Sequence, residues 1–184
     1  MINNRKQGFT LIELLITISV LAILLAIAAP NLQMFIQNSR LFSHTSGLVG
    51  DLNFARSEAV KRGGPVNVCA SANGTTCSGA LAWGTGWIVF NENSAPPNTT
   101  VNAGEAILRV TQALGGNNTL RAAIPAIRFS PQGYSVGFNG TFNACDSRGV
   151  GSARGVVISN QGRVRTRSAT EFLTETPPVV VACP

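Results

Sequence analysis

The hydrophobic pattern passes through three regimes along the chain. Residues 9–29 are apolar almost without interruption, and Glu13 is the single charge among them. As a helix rising about 1.5 Å per residue, that run spans about 30 Å, the thickness of a bilayer core. Over residues 31–62 the run gives way to a stripe. Leu41, Thr45, Leu48, Leu52, Ala55 and Ala59 recur at spacings of three and four, which predicts a helix with one face packed on a sheet. Gly63-Gly64-Pro65 stops it. Beyond Pro65 the pattern shortens to alternation broken by Gly turns. It predicts strands over 65–70, 81–90, 106–112, 124–130, 134–138, 155–159 and 162–167, and a last one over 179–182. In the 81–90 stretch Trp83, Trp87 and Val89 share one parity. Residues 91–104, with Pro96-Pro97, read as a long loop. The sum is an α+β chain, a long helix against antiparallel sheets.

Two basic residues, Arg5 and Lys6, precede the apolar run, which favours an N-terminus kept in the cytoplasm. A secretory signal peptide is the rival reading, with Ala28-Ala29 as its cleavage site. Glu13 argues against it, because a carboxylate inside an apolar span costs a few kcal/mol and signals function.

Charge changes the picture in the last third. Residues 63–108 hold no Lys or Arg, whereas from Arg121 onward there are seven Arg against Asp146, Glu171 and Glu175. That excess suits a phosphate-bearing or acidic partner, or simply a basic, soluble surface. Within it, Gly162-Arg163-Val164-Arg165-Thr166-Arg167 alternates three arginines, which a strand projects from one face about 6–7 Å apart. This approximates the phosphate spacing of a nucleic-acid strand, and arginine binds phosphate bidentately. Arg148 and Arg154 lie upstream, where they could extend the surface.

Four cysteines, Cys69, Cys77, Cys145 and Cys183, follow the apolar run without the paired spacing of a zinc site. An even number on the exported side of a membrane segment reads as two disulfides. Three pairings are open, and nearness along the chain favours Cys69–Cys77 with Cys145–Cys183. No phosphate-cradling Gly loop and no paired carboxylates stand out, and His44, the one histidine, reads as a surface or packing residue. The sequence points to no enzyme, metal or cofactor.

Lys6-Gln7-Gly8-Phe9-Thr10-Leu11-Ile12-Glu13-Leu14 resembles the prepilin cleavage motif of type IV pilins. The resemblance implies that a prepilin peptidase cuts between Gly8 and Phe9 and that Phe9 is then N-methylated. It matches Glu13 to the family's assembly glutamate, which attracts a neighbouring subunit's N-terminal amine, and Pro30 to its helix-bending proline. Leu52-Asn-Phe-Ala-Arg-Ser-Glu-Ala-Val-Lys-Arg62 and Gly84-Thr-Gly-Trp-Ile-Val-Phe90 further resemble the GspH/FimT domain of minor pilins and pseudopilins. The implied fold is the type IV pilin fold. The implied organisation is a leader over 1–8, a transmembrane and assembly helix over 9–30, and a periplasmic or extracellular domain over 31–184. The implied course is single-pass residence in the inner membrane of a Gram-negative bacterium, then the surface pilus with other pilins. Gly162-Arg163-Val164-Arg165 is similar to the Gly-Arg-x-Arg motif of FimT-type pilins, which implies sequence-nonspecific DNA binding for uptake in natural transformation. Two other roles compete with it: a FimU-like structural minor pilin that primes assembly, and a GspH-type pseudopilin of type II secretion.

Overall fold

The structure, a computed structural model, describes residues 8–94, 99–174 and 183. The chain divides into two compact units, Met1–Ser39 and Arg40–Pro184. Helix α1, Leu11–Arg62, contributes to both and continues through Pro30. Thr10 caps its start, the Glu13 backbone N–H donating to the Thr10 hydroxyl at 3.3 Å. In the first unit every helical residue as far as Ile36 is exposed.

In the second unit the predicted stripe is the buried face of α1. Leu41, Thr45, Leu48, Leu52, Ala55 and Ala59 are all buried. They meet a four-stranded antiparallel sheet ordered β3-β2-β1-β5, formed by β1 (Val66–Ala70), β2 (Gly86–Asn91), β3 (Ile107–Gln112) and β5 (Ala126–Phe129). Val66, Val68, Trp87, Val89, Ile127 and Phe129 face the helix. The opposite face, Cys69, Ile88, Phe90 and Ala126, packs with Cys77 and Val101 from the adjoining loops. Burial on both faces explains why β2 reads as the unbroken apolar run Trp-Ile-Val-Phe.

The second sheet, ordered β4-β6-β7-β8, comprises β4 (Thr119–Ala122), β6 (Gly140–Cys145), β7 (Arg154–Ile158) and β8 (Val164–Ser168). Leu120, Ala122, Phe142, Ala144, Val156 and Ile158 join the same core as the helix stripe. Trp83 and Phe142 meet edge to face at 4.7 Å. A short helix, α2 (Ala169–Thr174), follows β8. Ser168 and Glu171 form its capping box, the Ser168 backbone N–H donating to Glu171 Oε2 at 2.7 Å.

One acid lies on the buried stripe. Asp51 is 6% exposed and accepts three hydrogen bonds: from Trp87 Nε1 at 2.8 Å, Arg109 Nη1 at 2.8 Å and the Thr111 hydroxyl at 2.7 Å. Arg109 also lies 3.9 Å from the centre of the Phe54 ring. This cluster ties α1 to β2 and β3.

The structure departs from the sequence expectations in several elements. Residues 134–138 form no strand but an irregular segment with a turn at 136–137, because Gly133 (φ 78°) and Gly137 (φ 77°) take the left-handed conformation that breaks an extended run. Residues 83–85 form a 3₁₀ turn before β2, so Trp83 reaches the core from a turn and not from a strand. Strands β4 and β6, the latter diluted by Gly140 and Asn143, and helix α2 were not anticipated. The strand expected over 179–182 lies outside the described residues. Both disulfides are present as the favoured pairs, Cys69–Cys77 and Cys145–Cys183.

Candidate functional site

Two surfaces carry the residues singled out from the sequence. The first is the N-terminal part of α1. Phe9 is 84% exposed, and Leu11, Ile12, Leu14, Ile16, Val20, Leu24 and Ile27 are exposed with it. The helix is long and apolar enough to cross a membrane by length and composition. Glu13 stands alone among these side chains as an ionisable group, within the first turn. Pro30 lacks the N–H that would bond the Ala26 carbonyl, so the helix is weakened there without ending.

The second surface is the outer face of the β4-β6-β7-β8 sheet. The registers Arg121↔Asn143, Asn143↔Gly155 and Gly155↔Arg167 place Arg121 and Arg167 in one row across the sheet. Arg165, opposite Val157, is on the same parity one step along β8. Arg163 precedes β8 on that parity and is exposed, as is Arg165. Val164, between them, packs against the core, which sets the parity. Strand β8 is the sheet edge, where charged side chains also discourage pairing with another strand.

Gly162 is fixed by close approach. Its φ is 70°, and a Cβ there would lie 2.1 Å from the Gly133 carbonyl oxygen. Arg56, from α1, donates to the Gly133 carbonyl at 3.0 Å and to the Gln161 carbonyl at 3.1 Å. The 130–134 turn, the 159–163 turn and the spine helix are thus locked together, and Arg163 leaves from that lock.

The other two candidate arginines do not join this face. Arg154 shares parity with Val156 and Ile158 on the helix side, its guanidinium 5.4 Å from the Phe42 ring. Arg148 is held by Asp146, its Nε 3.0 Å from Oδ2. Burial works to raise the Asp146 carboxyl, but the Arg148 hydrogen bonds and charge bring it below the ordinary carboxylate range. Arg121 takes their place. Sequence reasoning missed it because its alignment with Arg167 exists only once β4, β6, β7 and β8 are paired.

Among the described residues, Glu171 is the acid close to the arginine row. The Ser168 backbone N–H, then its hydroxyl, hold the carboxyl below its ordinary range, and Arg167 and Arg165 add to the pull. At neutral pH it therefore offsets part of the positive potential, which leaves Arg163 and Arg121 as the ends of the row farther from that offset. Cys145 is also on the outer face, opposite Thr119, and is bonded there to Cys183.

Residues 44–162 match the family model described as type II transport protein GspH. The chain belongs to the GspH family of minor pilins and pseudopilins. Residues 3–29 match the prokaryotic N-terminal methylation motif. The type IV minor pilin FimU of Pseudomonas aeruginosa is similar in two crystal forms. One has a TM-score of 0.57 at 22% identity, over 74% of this chain and 94% of that one. The other has a TM-score of 0.52 at 22% identity, over 70% and 93%. The minor pseudopilin EpsH of the Vibrio cholerae type 2 secretion system matches at 10% identity, over 70% and 97%, with a TM-score of 0.48. No curated protein gives a significant match. As a GspH-family member the chain is an assembly protein and not an enzyme, and it is incorporated into a pilus or secretion pseudopilus.

Proposed function

We propose that this GspH-family chain is a structural minor pilin that enters its filament through residues 9–30. The observation that carries this reading is the fully exposed apolar start of α1, with Glu13 as its one ionisable side chain. A prepilin peptidase removes residues 1–8, leaving Phe9 as the methylated N-terminus. Before assembly the helix sits in the inner membrane, and residues 31–184 form the exported domain. In the dry filament core Glu13 of one subunit pairs with the Phe9 amine of its neighbour, so that neither buried charge is uncompensated. Its partners are other pilins, and after assembly it lies at the cell surface. Mass spectrometry of the assembled protein is expected to find N-methyl-Phe9 at the terminus. A mature chain starting near Pro30 would establish an ordinary signal peptide and overturn the reading.

The arginine row favours a second role, sequence-nonspecific DNA capture for uptake. Arg121, Arg163, Arg165 and Arg167 share one face, and no described acid forms an ion pair with Arg163 or Arg165. Affinity resting on phosphates falls steeply with salt, each contact adding close to one unit of slope. Changing Arg163 and Arg165 together to Ala is expected to lower the salt slope by about two and weaken unrelated sequences alike. Because both side chains are exposed, stability should move by less than about 0.5 kcal/mol each. Mobility shifts of the detergent-solubilised chain at several salt concentrations measure this. Wild-type-like binding by the double variant would leave the purely structural role.

A further inference from the structure

Beside the arginine turn lies a groove of about 550 Å³ that neither role uses. Its walls include Pro65, Arg128, Pro131, Tyr134, Val136 and Phe138. Tyr134 is 50% exposed and Val136 72%, although both side chains have the apolar body that folding usually covers. Ser130 and Gln132 add hydrogen-bonding groups at the margin, and no described acid forms an ion pair with Arg128.

The groove and the arginine row belong to one locked assembly. Ser135 N–H donates to the Asn160 carbonyl at 2.9 Å, and Ser159 N–H donates to the Arg163 carbonyl at 3.0 Å. Gly133, next to Tyr134, is the residue on which Gly162 sits. Arg56 holds both turns by their carbonyls. A chain tracking Arg167, Arg165 and Arg163 therefore runs to the turn that adjoins Tyr134.

We propose that this groove takes an unpaired base of single-stranded DNA whose phosphates lie along Arg163 and Arg165. The proposal rests on the DNA-capture reading and adds strand preference to it. An unpaired base has an apolar π-face for the Tyr134 ring and a polar edge for Ser130 and Gln132. Arg128 supplies a further cation for the adjoining phosphate. Stacking on an aromatic ring beside a cationic track is tolerant of sequence, because every base has a π-face. In a duplex the bases are already stacked and paired, so the groove stays empty and only the phosphate contacts remain.

The test is fluorescence anisotropy of the full chain in detergent, with a labelled mixed-sequence oligonucleotide of roughly 16 nucleotides, single-stranded or annealed to its complement. The Tyr134→Ala chain is expected to lose about tenfold in single-strand affinity, with duplex affinity unchanged. Tyr134→Phe keeps the ring and is expected to bind like wild type. The Arg163/Arg165 double variant is expected to weaken both forms. An unchanged single-strand affinity in Tyr134→Ala, or equal losses on both forms, overturns the groove site while DNA capture stands. Failure of the wild-type chain to bind either form overturns both readings together.

Discussion

Changing Asp51 to Ala is expected to lower the unfolding free energy of the Arg40–Pro184 unit by about 3 kcal/mol, the scale of leaving one buried and one half-buried donor without their acceptor. The carboxylate is 6% exposed and satisfies Trp87 Nε1, Arg109 and Thr111 at once. Removing it leaves the buried indole N–H and the half-buried Thr111 hydroxyl without their acceptor. Arg109 loses less, since its side chain is 44% exposed and can rehydrate. For a domain of this size the change corresponds to a fall in thermal midpoint of roughly 10 °C. Asp51→Asn keeps an acceptor oxygen but not the charge, and should fall between Ala and wild type. Thermal unfolding followed by tryptophan fluorescence reads this directly, because Trp87 is one of the partners. A midpoint unchanged in Asp51→Ala would mean that the three donors find other acceptors and that the Asp51 cluster does not hold α1 to the sheet.

Gly162→Ala should be of similar size, for a different reason. The φ of 70° strains any side chain, and the added Cβ would sit 2.1 Å from the Gly133 oxygen, far inside contact distance. The obstacle is backbone and cannot rotate away, so one of the two turns must move. A loss of about 3 kcal/mol is expected, within the range for strain and overpacking at a special backbone position. The same movement would carry Arg163 out of line with Arg165. Chemical denaturation of the variant measures the first effect. Its DNA affinity measures the second and should drop although no arginine has been changed. A variant as stable as wild type would show that the turns are looser than their contacts imply.

The packed half of the long helix was legible in the sequence because one signal, the spacing of Leu41, Thr45, Leu48, Leu52, Ala55 and Ala59, runs through it without competition. Asp51 could have been found by the same spacing, since it follows Leu48 by three and precedes Ala55 by four. An acid in phase with a buried stripe implies donors across the interface, but not which ones. Strands β4 and β6 were hidden because four to six residues carrying Gly140, Asn143 and Arg121 give too little alternation to separate from a turn. The mistaken strand over 134–138 shows the converse. Tyr134, Val136 and Phe138 alternate as a strand would, yet two left-handed glycines fold the segment back on itself. For the arginines, parity within Arg163-Val164-Arg165 was readable locally. The exclusion of Arg154 and the inclusion of Arg121 depended on which strands pair, information that no local pattern holds.

The Cys145–Cys183 bond joins residues 38 apart and encloses β7, β8, α2 and the whole Gly162–Arg167 stretch in one covalent loop. On the proposed reading the subunit works at the cell surface, where proteases act. Because the loop is closed, a single cut between residues 146 and 182 cannot release a fragment. The two new ends stay on the same molecule, and β8 keeps its hydrogen bonds to β7 wherever the cut falls beyond it. Loss of this part of the subunit therefore takes two cuts, or one cut together with a reductant.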